Sequence, residues 1–335
     1  MNIVIDAFGG DNAPLEVIKG AVDAQKDFNI DITLVGDQDK IKKCAQDNGI
    51  DISALKIKHA DTVIDICEEP TSVIKTKKDC SMAVGLKMLA DGEGDAFVSA
   101  GSTGALVVGA TFIVKRIKGI KRSALATVLP TAAEPTMLLD CGANADCRPE
   151  MLVQFGIMGS AYMNKIIGVK SPRVALANIG AEESKGRDLE LETYKQLKNA
   201  PVNFTGNIEA RQIPFGECDV VVADGFSGNL LLKLYEGMGK FFSKELKNLL
   251  MKNFKSKIAA LMILGNVKEF KKKMDYSEYG GAPLLGVSKP VIKAHGSSNA
   301  KAFYNAIRQA KLFTETKVID EITSALETMK NAEKV

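Results

Sequence analysis

The chain of 335 residues lacks the parts from which several common sites are built. It has only two histidines, His59 and His295, and its six cysteines are scattered at 44, 67, 80, 141, 147 and 218 with no C-x-x-C pair. No zinc spacing can be assembled from that set, and reduced thiols in a cytoplasmic protein are the simplest account of the cysteines. G-x-x-x-x-G-K-[ST] and G-x-G-x-x-G are both absent, so neither a P-loop nor the standard dinucleotide fingerprint is supported. There is no G-x-S-x-G elbow, and His59 lies in a polar stretch, which disfavours a Ser-His-Asp triad. A nucleophilic Cys141 would need a base; a small buried thiol is the stronger reading. No secretory leader is expected, because Asp6 and Asp11 interrupt the only early apolar run. Nothing points to nucleic acid.

Residues 96–114 carry no charge and are long enough to look like a membrane span. Ser99-Ala-Gly-Ser-Thr-Gly104 punctuates that run, which therefore reads as buried strand, loop and helix. At 46% hydrophobic and 25% charged residues, the composition is that of an ordinary globular protein able to bury a sizeable core.

What is present is alternation. Short apolar runs predict strands over 2–6, 32–35, 55–58, 95–98, 124–129, 136–140, 173–177 and 220–223. Helical patterns fall over 15–26, 37–48, 82–90, 105–118, 150–165, 189–197 and 229–250. This predicts an α/β fold with a mostly parallel, Rossmann-like sheet covered by helices. A single domain over 1–335 is expected, with a protruding helical excursion at 240–275.

In an open parallel sheet, ligands bind beyond the carboxyl ends of strands. Five such segments are rich in glycine, small hydroxyls and amides, and together they suggest one extended site lined by backbone N–H groups. The first, Asp6-Ala-Phe-Gly-Gly-Asp-Asn-Ala-Pro14, contributes Asp6, Gly9, Gly10, Asp11 and Asn12. Pro14 fits the first turn of the following helix. The two acids there suit holding loop geometry better than touching an anion. The second contributes Ser99, Gly101, Thr103 and Gly104, and the third, Asp140-Cys-Gly-Ala-Asn144, contributes Asn144. The fourth runs from Asn178 to Gly186 and carries Lys185; the fifth contributes Asp224, Ser227, Gly228 and Asn229.

These residues suit a reaction without a protein nucleophile. Lys185 can neutralise a phosphate as a point charge. Asn229, at a helix N-terminus, can donate to a developing oxyanion. Asn144 and Thr103 can hold phosphate oxygens, and His295 can orient a substrate or shuttle a proton. Each has a plain alternative: a surface lysine, a helix cap, a turn, a satisfied histidine.

Charge is unevenly spread. Residues 233–273 hold eleven lysines, no arginine and three glutamates, a local balance of +8 that leaves −5 elsewhere. Such a block suits an acidic partner or an anionic membrane surface, or is simply a solvated helical face. Within it, Ile258-Ala-Ala-Leu-Met-Ile-Leu264 is apolar all round and flanked by Lys255, Lys257, Lys268 and Lys271–Lys273. Seven residues cannot span a bilayer, but Ile258, Leu261, Met262, Ile263 and Leu264 could sit in its interface inside a lysine collar. A helix buried in a dimer contact is the alternative.

Taken in order, these segments, with Gly280-Gly-Ala-Pro-Leu-Leu-Gly-Val287 and Ala294-His-Gly-Ser-Ser298, resemble the acyl-acyl carrier protein:phosphate acyltransferase (PlsX) family over nearly the whole chain. The resemblance implies a three-layer α/β/α sandwich, usually a homodimer. It also implies transfer of a long acyl chain from acyl carrier protein to inorganic phosphate, giving acyl phosphate for phospholipid synthesis, with no metal or nucleotide cofactor. Lys185 would position phosphate, and Asn229 would steady the oxyanion. The lysine block, Lys244, Lys247 and Lys252 included, would meet the acidic carrier. The enzyme would work on the inner face of the cell membrane, beside a membrane acyl-phosphate:glycerol-3-phosphate acyltransferase that takes its product. Phe8, Ser102, Cys141 and Ala181 depart from the family's usual Met, Asn, Val and Glu. Ser102 weakens any amide-specific role at that position, and the valine usual at 141 argues against a nucleophilic cysteine. A soluble short-chain enzyme using coenzyme A thioesters and a non-catalytic membrane scaffold are the competing readings.

Overall fold

The computed structural model describes residues 1–273 and 280–332. Eleven strands form one sheet. They are β1 (Asn2–Asp6), β2 (Asp31–Gly36), β3 (Lys56–His59), β4 (Ala96–Ser99), β5 (Ala124–Leu129), β6 (Thr136–Leu139), β7 (Arg173–Asn178), β8 (Asn203–Glu209), β9 (Val220–Val222), β10 (Ala282–Leu285) and β11 (Val291–Lys293). The helices are α1 (Leu15–Phe28), α2 (Gln38–Asp47), α3 (Ser72–Lys75), α4 (Ser81–Asp91), α5 (Thr103–Gly109), α6 (Pro149–Tyr162), α7 (Asp188–Leu197), α8 (Gly225–Met251), α9 (Phe254–Met262), α10 (Leu264–Lys273), α11 (Ala300–Glu315) and α12 (Val318–Ala332). The uncharged run 96–114 resolves into strand, loop and helix; none of the described helices is long and apolar enough to cross a membrane.

The sheet order is β3-β2-β1-β4-β11-β10-β5-β6-β9-β7-β8. Both ends are parallel blocks, and the middle is not. Strand β10 is antiparallel to β11 and to β5, and β5 is antiparallel to β6. Three reversals in a row make the block β6-β9-β7-β8 run opposite to the block β3-β2-β1-β4-β11. The expected arrangement, with every loop at one carboxyl edge, is therefore corrected to two blocks of opposite direction. Twist reconciles this with a shared site: at roughly 20–25° per neighbour, the four steps from β4 to β6 turn the strands by about a right angle. Two opposed edges can then face one hollow.

Alternate residues of each strand feed opposite layers, as the period of two requires. Ile3 and Ile5 of β1 join the core shared with α1, α6, α11 and α12, whereas Val4 packs with Leu86 of α4 and Ala105 of α5. In the second block Val220 and Val222 face the first of these cores, and Val221 packs with Leu138 and with Leu232 of α8. Burial on both faces explains why these strands are apolar throughout.

Two predicted helices change pitch before they end, and the one expected over 105–118 stops at Val114. Each ends in a π turn, Ala110–Val114 after α5 and Met163–Ile167 after α6. Pro14 stands at the N-cap of α1 rather than within its first turn. Three strands had no expectation. β8 is polar, and its pairing with β7 shifts register between Val174 and Ala175; β10 and β11 are four and three residues long. The expected excursion at 240–275 corresponds to the end of α8 followed by α9 and α10, with 274 and 275 outside the described residues. At about 1.5 Å per residue, the 27 residues of α8 reach about 40 Å, well beyond the sheet edge where it starts.

Candidate active site

The loops after β4, β6, β9 and β11 converge on a cavity of ≈ 350 Å³. Its walls include Thr103, Gly142, Asn229, Lys293 and His295, with Leu125, Val128, Leu232 and Ala302 as apolar surface. Cationic, polar and aliphatic side chains thus share one wall.

Two buried carboxylates at strand ends fix the loops around it. Asp140, fully buried after β6, accepts from the N–H groups of Leu125 (2.9 Å), Ala143 (3.2 Å) and Asn144 (2.7 Å) and from Asn144 Nδ2 (2.9 Å). Asn144 Nδ2 also donates to the Ser123 carbonyl at 2.8 Å. Both amide hydrogens of Asn144 are therefore engaged, and the expected donation to a phosphate oxygen has no donor left. Asp6, buried at the end of β1, accepts from the hydroxyls of Ser81 (2.6 Å) and Ser99 (2.7 Å) and from the Phe8 N–H (3.2 Å). Burial pushes both carboxyls above the ordinary range, against the opposing pull of these donors.

Helix α8 is seated directly on β6. Its N-cap Asp224 accepts from Ser227 N at 2.7 Å, and Gly225 N donates to the Asn144 carbonyl at 2.8 Å. A Cβ on Gly228 would lie 1.9 Å from the Asp140 carbonyl oxygen, so only glycine permits that approach. Gly142 has φ +117°, and Asn229 packs against it, with Cγ 3.4 Å from where a Cβ would stand. Asn229, Leu232, Lys233 and Glu236 then follow at helical spacing along one face of α8, and all four line the cavity. Lys233 and Glu236 form an ion pair at 3.0 Å.

His295 accepts at Nδ1 from the Ser297 backbone N–H at 3.2 Å, with Ser297 Oγ 2.9 Å away. A neutral ring in that setting carries its proton on Nε2. Partial desolvation lowers the imidazole's pKa, opposed by Glu236 and reinforced by Lys233, Lys293 and Lys240, which favours the neutral form. Cys141 lines the cavity but is inert: its thiol donates to the Leu138 carbonyl at 3.2 Å, and burial beside Asp140 pushes its pKa far upward. Among the described residues no group of three His, Cys, Asp or Glu converges as a metal site.

Of the residues expected from sequence, the cavity wall brings together Thr103, Asn229 and His295. The first loop sits behind that wall. Asp11 N donates to the Gly296 carbonyl (2.8 Å), and Asn12 Nδ2 donates to the carbonyls of Ser297 (3.3 Å) and Ser298 (3.2 Å). Gly9 and Gly10 lie against Ser99, Ala100 and Gly101, while Gly104 faces Pro70. Lys185 is exposed on the loop after β7 and is not among the lining residues. That loop is tied to the start of α8 by Arg187, whose Nη2 lies 2.9 Å from Asp224 Oδ2. Lys293 was not expected, and Lys233 and Glu236 were expected only as part of the charged block 233–273, although the i, i+4, i+7 spacing from Asn229 could have placed them at the site.

The family model described as "Fatty acid synthesis protein" matches residues 1–321. The phosphate acyltransferase of Thermoanaerobacterium thermosaccharolyticum is 50% identical over 327 residues, 98% of this chain and 97% of that one. The chain belongs to the phosphate acyltransferase family of fatty acid and phospholipid synthesis. A relative of the same name from Clostridioides difficile is 46% identical over 323 residues, covering 96% and 95% of the two chains. Among solved structures, a phosphotransacetylase from Streptococcus pyogenes aligns with a TM-score of 0.65 at 18% identity, covering 96% of this chain and 94% of that one. The EutD phosphotransacetylase of Staphylococcus aureus gives 0.63 at 18%, covering 93% and 94%. At that identity the likeness speaks for the fold, in which the enzyme's mixed, mostly parallel sheet is shared. The fold and the family inferred from the loop motifs are thus borne out.

Proposed function

We propose that the enzyme transfers a long-chain fatty acyl group from acyl-acyl carrier protein to inorganic phosphate. A phosphate oxygen attacks the thioester carbonyl carbon, a tetrahedral oxyanion forms, and the C–S bond breaks. The thiolate leaves and takes the proton that the phosphate gives up; acyl phosphate and the free thiol of the carrier are the products. The thiolate is a good leaving group, so the protein's task is to hold two reactants together and stabilise charge. Asn229 and neutral His295 are the proposed donors to the oxyanion. Lys185, exposed outside the cavity on a loop braced against the start of α8, is the proposed partner of phosphate on its approach.

The observation that carries this reading is a cavity lined by both cationic and aliphatic side chains, one wall of which is the start of the helix that leads into the lysine-rich arm. The arm supports an acidic protein donor over a small thioester. Lys244, Lys247 and Lys252 are exposed along it, and Phe254, Leu261 and Met262 are 78%, 73% and 83% exposed near its tip. We infer that the lysines steer the carrier and that the tip, with Lys255 and Lys257 beside it, rests on the membrane where the product is used. A homodimer and a role beside the membrane enzyme consuming acyl phosphate belong to the same reading.

The test is donor preference. Purified enzyme is given inorganic phosphate with long-chain acyl carrier protein, or with short-chain acyl coenzyme A at equal concentration, and acyl phosphate is trapped with hydroxylamine. The reading expects the carrier thioester to be the better substrate. Preference for the short-chain coenzyme A thioester would replace it with the soluble short-chain alternative.

A further inference from the structure

Lys293 is 8% exposed, yet it lines the cavity. Register explains why: β11 lies between β4 and β10, and Lys293 pairs with Ser99 on one side and Ala282 on the other. Its Nζ donates to the carbonyl of Ala100, at 3.3 Å, and to that of Ala294. Two of three ammonium hydrogens are thus taken by neutral carbonyls. Lys233, the other lysine of the cavity, is paired with Glu236, whereas Lys293 has no ion pair among the described residues. Asp6 and Asp11 act on it only at longer range, and the Asp6 oxygens are held by two serine hydroxyls. An ammonium held nine-tenths buried against dipoles alone is under-compensated. An anion entering the cavity completes it.

We propose that Lys293 binds the attacking phosphate, so that the phosphate subsite lies on the β11 wall between the loops carrying Ala100 and Ala294. This deepens the proposed function and rests on it. A phosphate there meets Lys293 from the wall, with Thr103, Asn229 and His295 lining the same cavity, and the aliphatic surface is left for the acyl chain. Burial pushes the Lys293 ammonium down to about 8, with Asp6 and Asp11 opposing and Lys233 reinforcing the fall. Phosphate affinity in the free enzyme therefore weakens as pH rises through about 8, because the lysine loses its charge.

The experiment is the kinetics of Lys293→Gln with phosphate and thioester varied separately. Losing a charge-assisted contact predicts a KM for phosphate higher by roughly 10- to 100-fold, with the KM for the thioester little changed. The alkaline rise in phosphate KM should disappear in the variant. An unchanged phosphate KM, or parallel changes in both KM values together with a lowered melting midpoint, would overturn the proposal in favour of a brace between the two loops. Should the variant fail to fold, wild-type enzyme is carbamylated with cyanate, with and without inorganic phosphate, and Lys293 is followed by peptide mass spectrometry. Protection by phosphate is expected; equal labelling overturns the subsite. Protection in a protein that forms no acyl phosphate would keep the subsite and reject the proposed function instead.

Discussion

The cavity and the arm are built on opposite principles. Around the cavity, small loops are locked by buried carboxylates, and polar groups such as Asp140 and Asn144 are fully spoken for. Along 254–271 most side chains are exposed, and Ala260 is the one buried apolar residue of α9. The first region is organised to hold a reacting centre still. The second exposes apolar and cationic surface that the described chain does not cover. On the proposed function the first carries the chemistry and the second delivery, and each assignment can be broken separately.

The largest effect is expected inside the cavity. Asn229→Ala removes a proposed oxyanion donor and should lower kcat by roughly 100- to 1,000-fold with an unchanged melting midpoint. A fall confined to stability would return Asn229 to a packing role against Gly142. Next come the two carboxylates, whose partners differ in kind. Asp140→Asn places an NH₂ among N–H donors that cannot turn away, and should cost on the order of 3 kcal/mol in a denaturant melt. Asp6→Asn can keep its oxygen toward the Phe8 N–H and Ser81 and turn its NH₂ to the Ser99 hydroxyl, which can rotate to accept, and should cost about 1 kcal/mol. Equal losses would show that the Ser99 hydroxyl is not free to adapt.

The arm should respond differently. Replacing Ile258, Leu261 and Ile263 by alanine should reduce recovery on anionic vesicles while leaving turnover of dissolved substrate intact. Loss of the fold would instead make the tip a buried contact. Reversing Lys244, Lys247 and Lys252 to glutamate should raise the KM for acyl carrier protein by about tenfold at low ionic strength, an effect that salt erases. Salt-independent loss would remove charge steering from the account.

The loops were legible in sequence because glycine, serine and asparagine cluster after several apolar strand runs. Of the five expected loops, those after β4, β6 and β9 reach the cavity, while the first stands behind its wall and the fourth lies outside its lining. Nothing in Ala282–Leu285 or Val291–Lys293 announces strands that reverse the sheet, since four and three residues carry almost no periodicity. The same brevity hid Lys293. A lysine after Val291-Ile292 reads as the polar end of an apolar run, and only the register with Ser99 and Ala282 shows it facing the cavity. Asn144 misled for the opposite reason. Its residue type suits a phosphate, but the Asp140 carboxylate and the Ser123 carbonyl take its two amide hydrogens.

The most direct test of the division between cavity and arm is phosphate-dependent turnover of long-chain acyl carrier protein by the folded wild-type enzyme. The account predicts acyl phosphate in amounts that saturate with both phosphate and carrier thioester. Folded protein that releases no acyl phosphate from the carrier thioester at any phosphate concentration would contradict it.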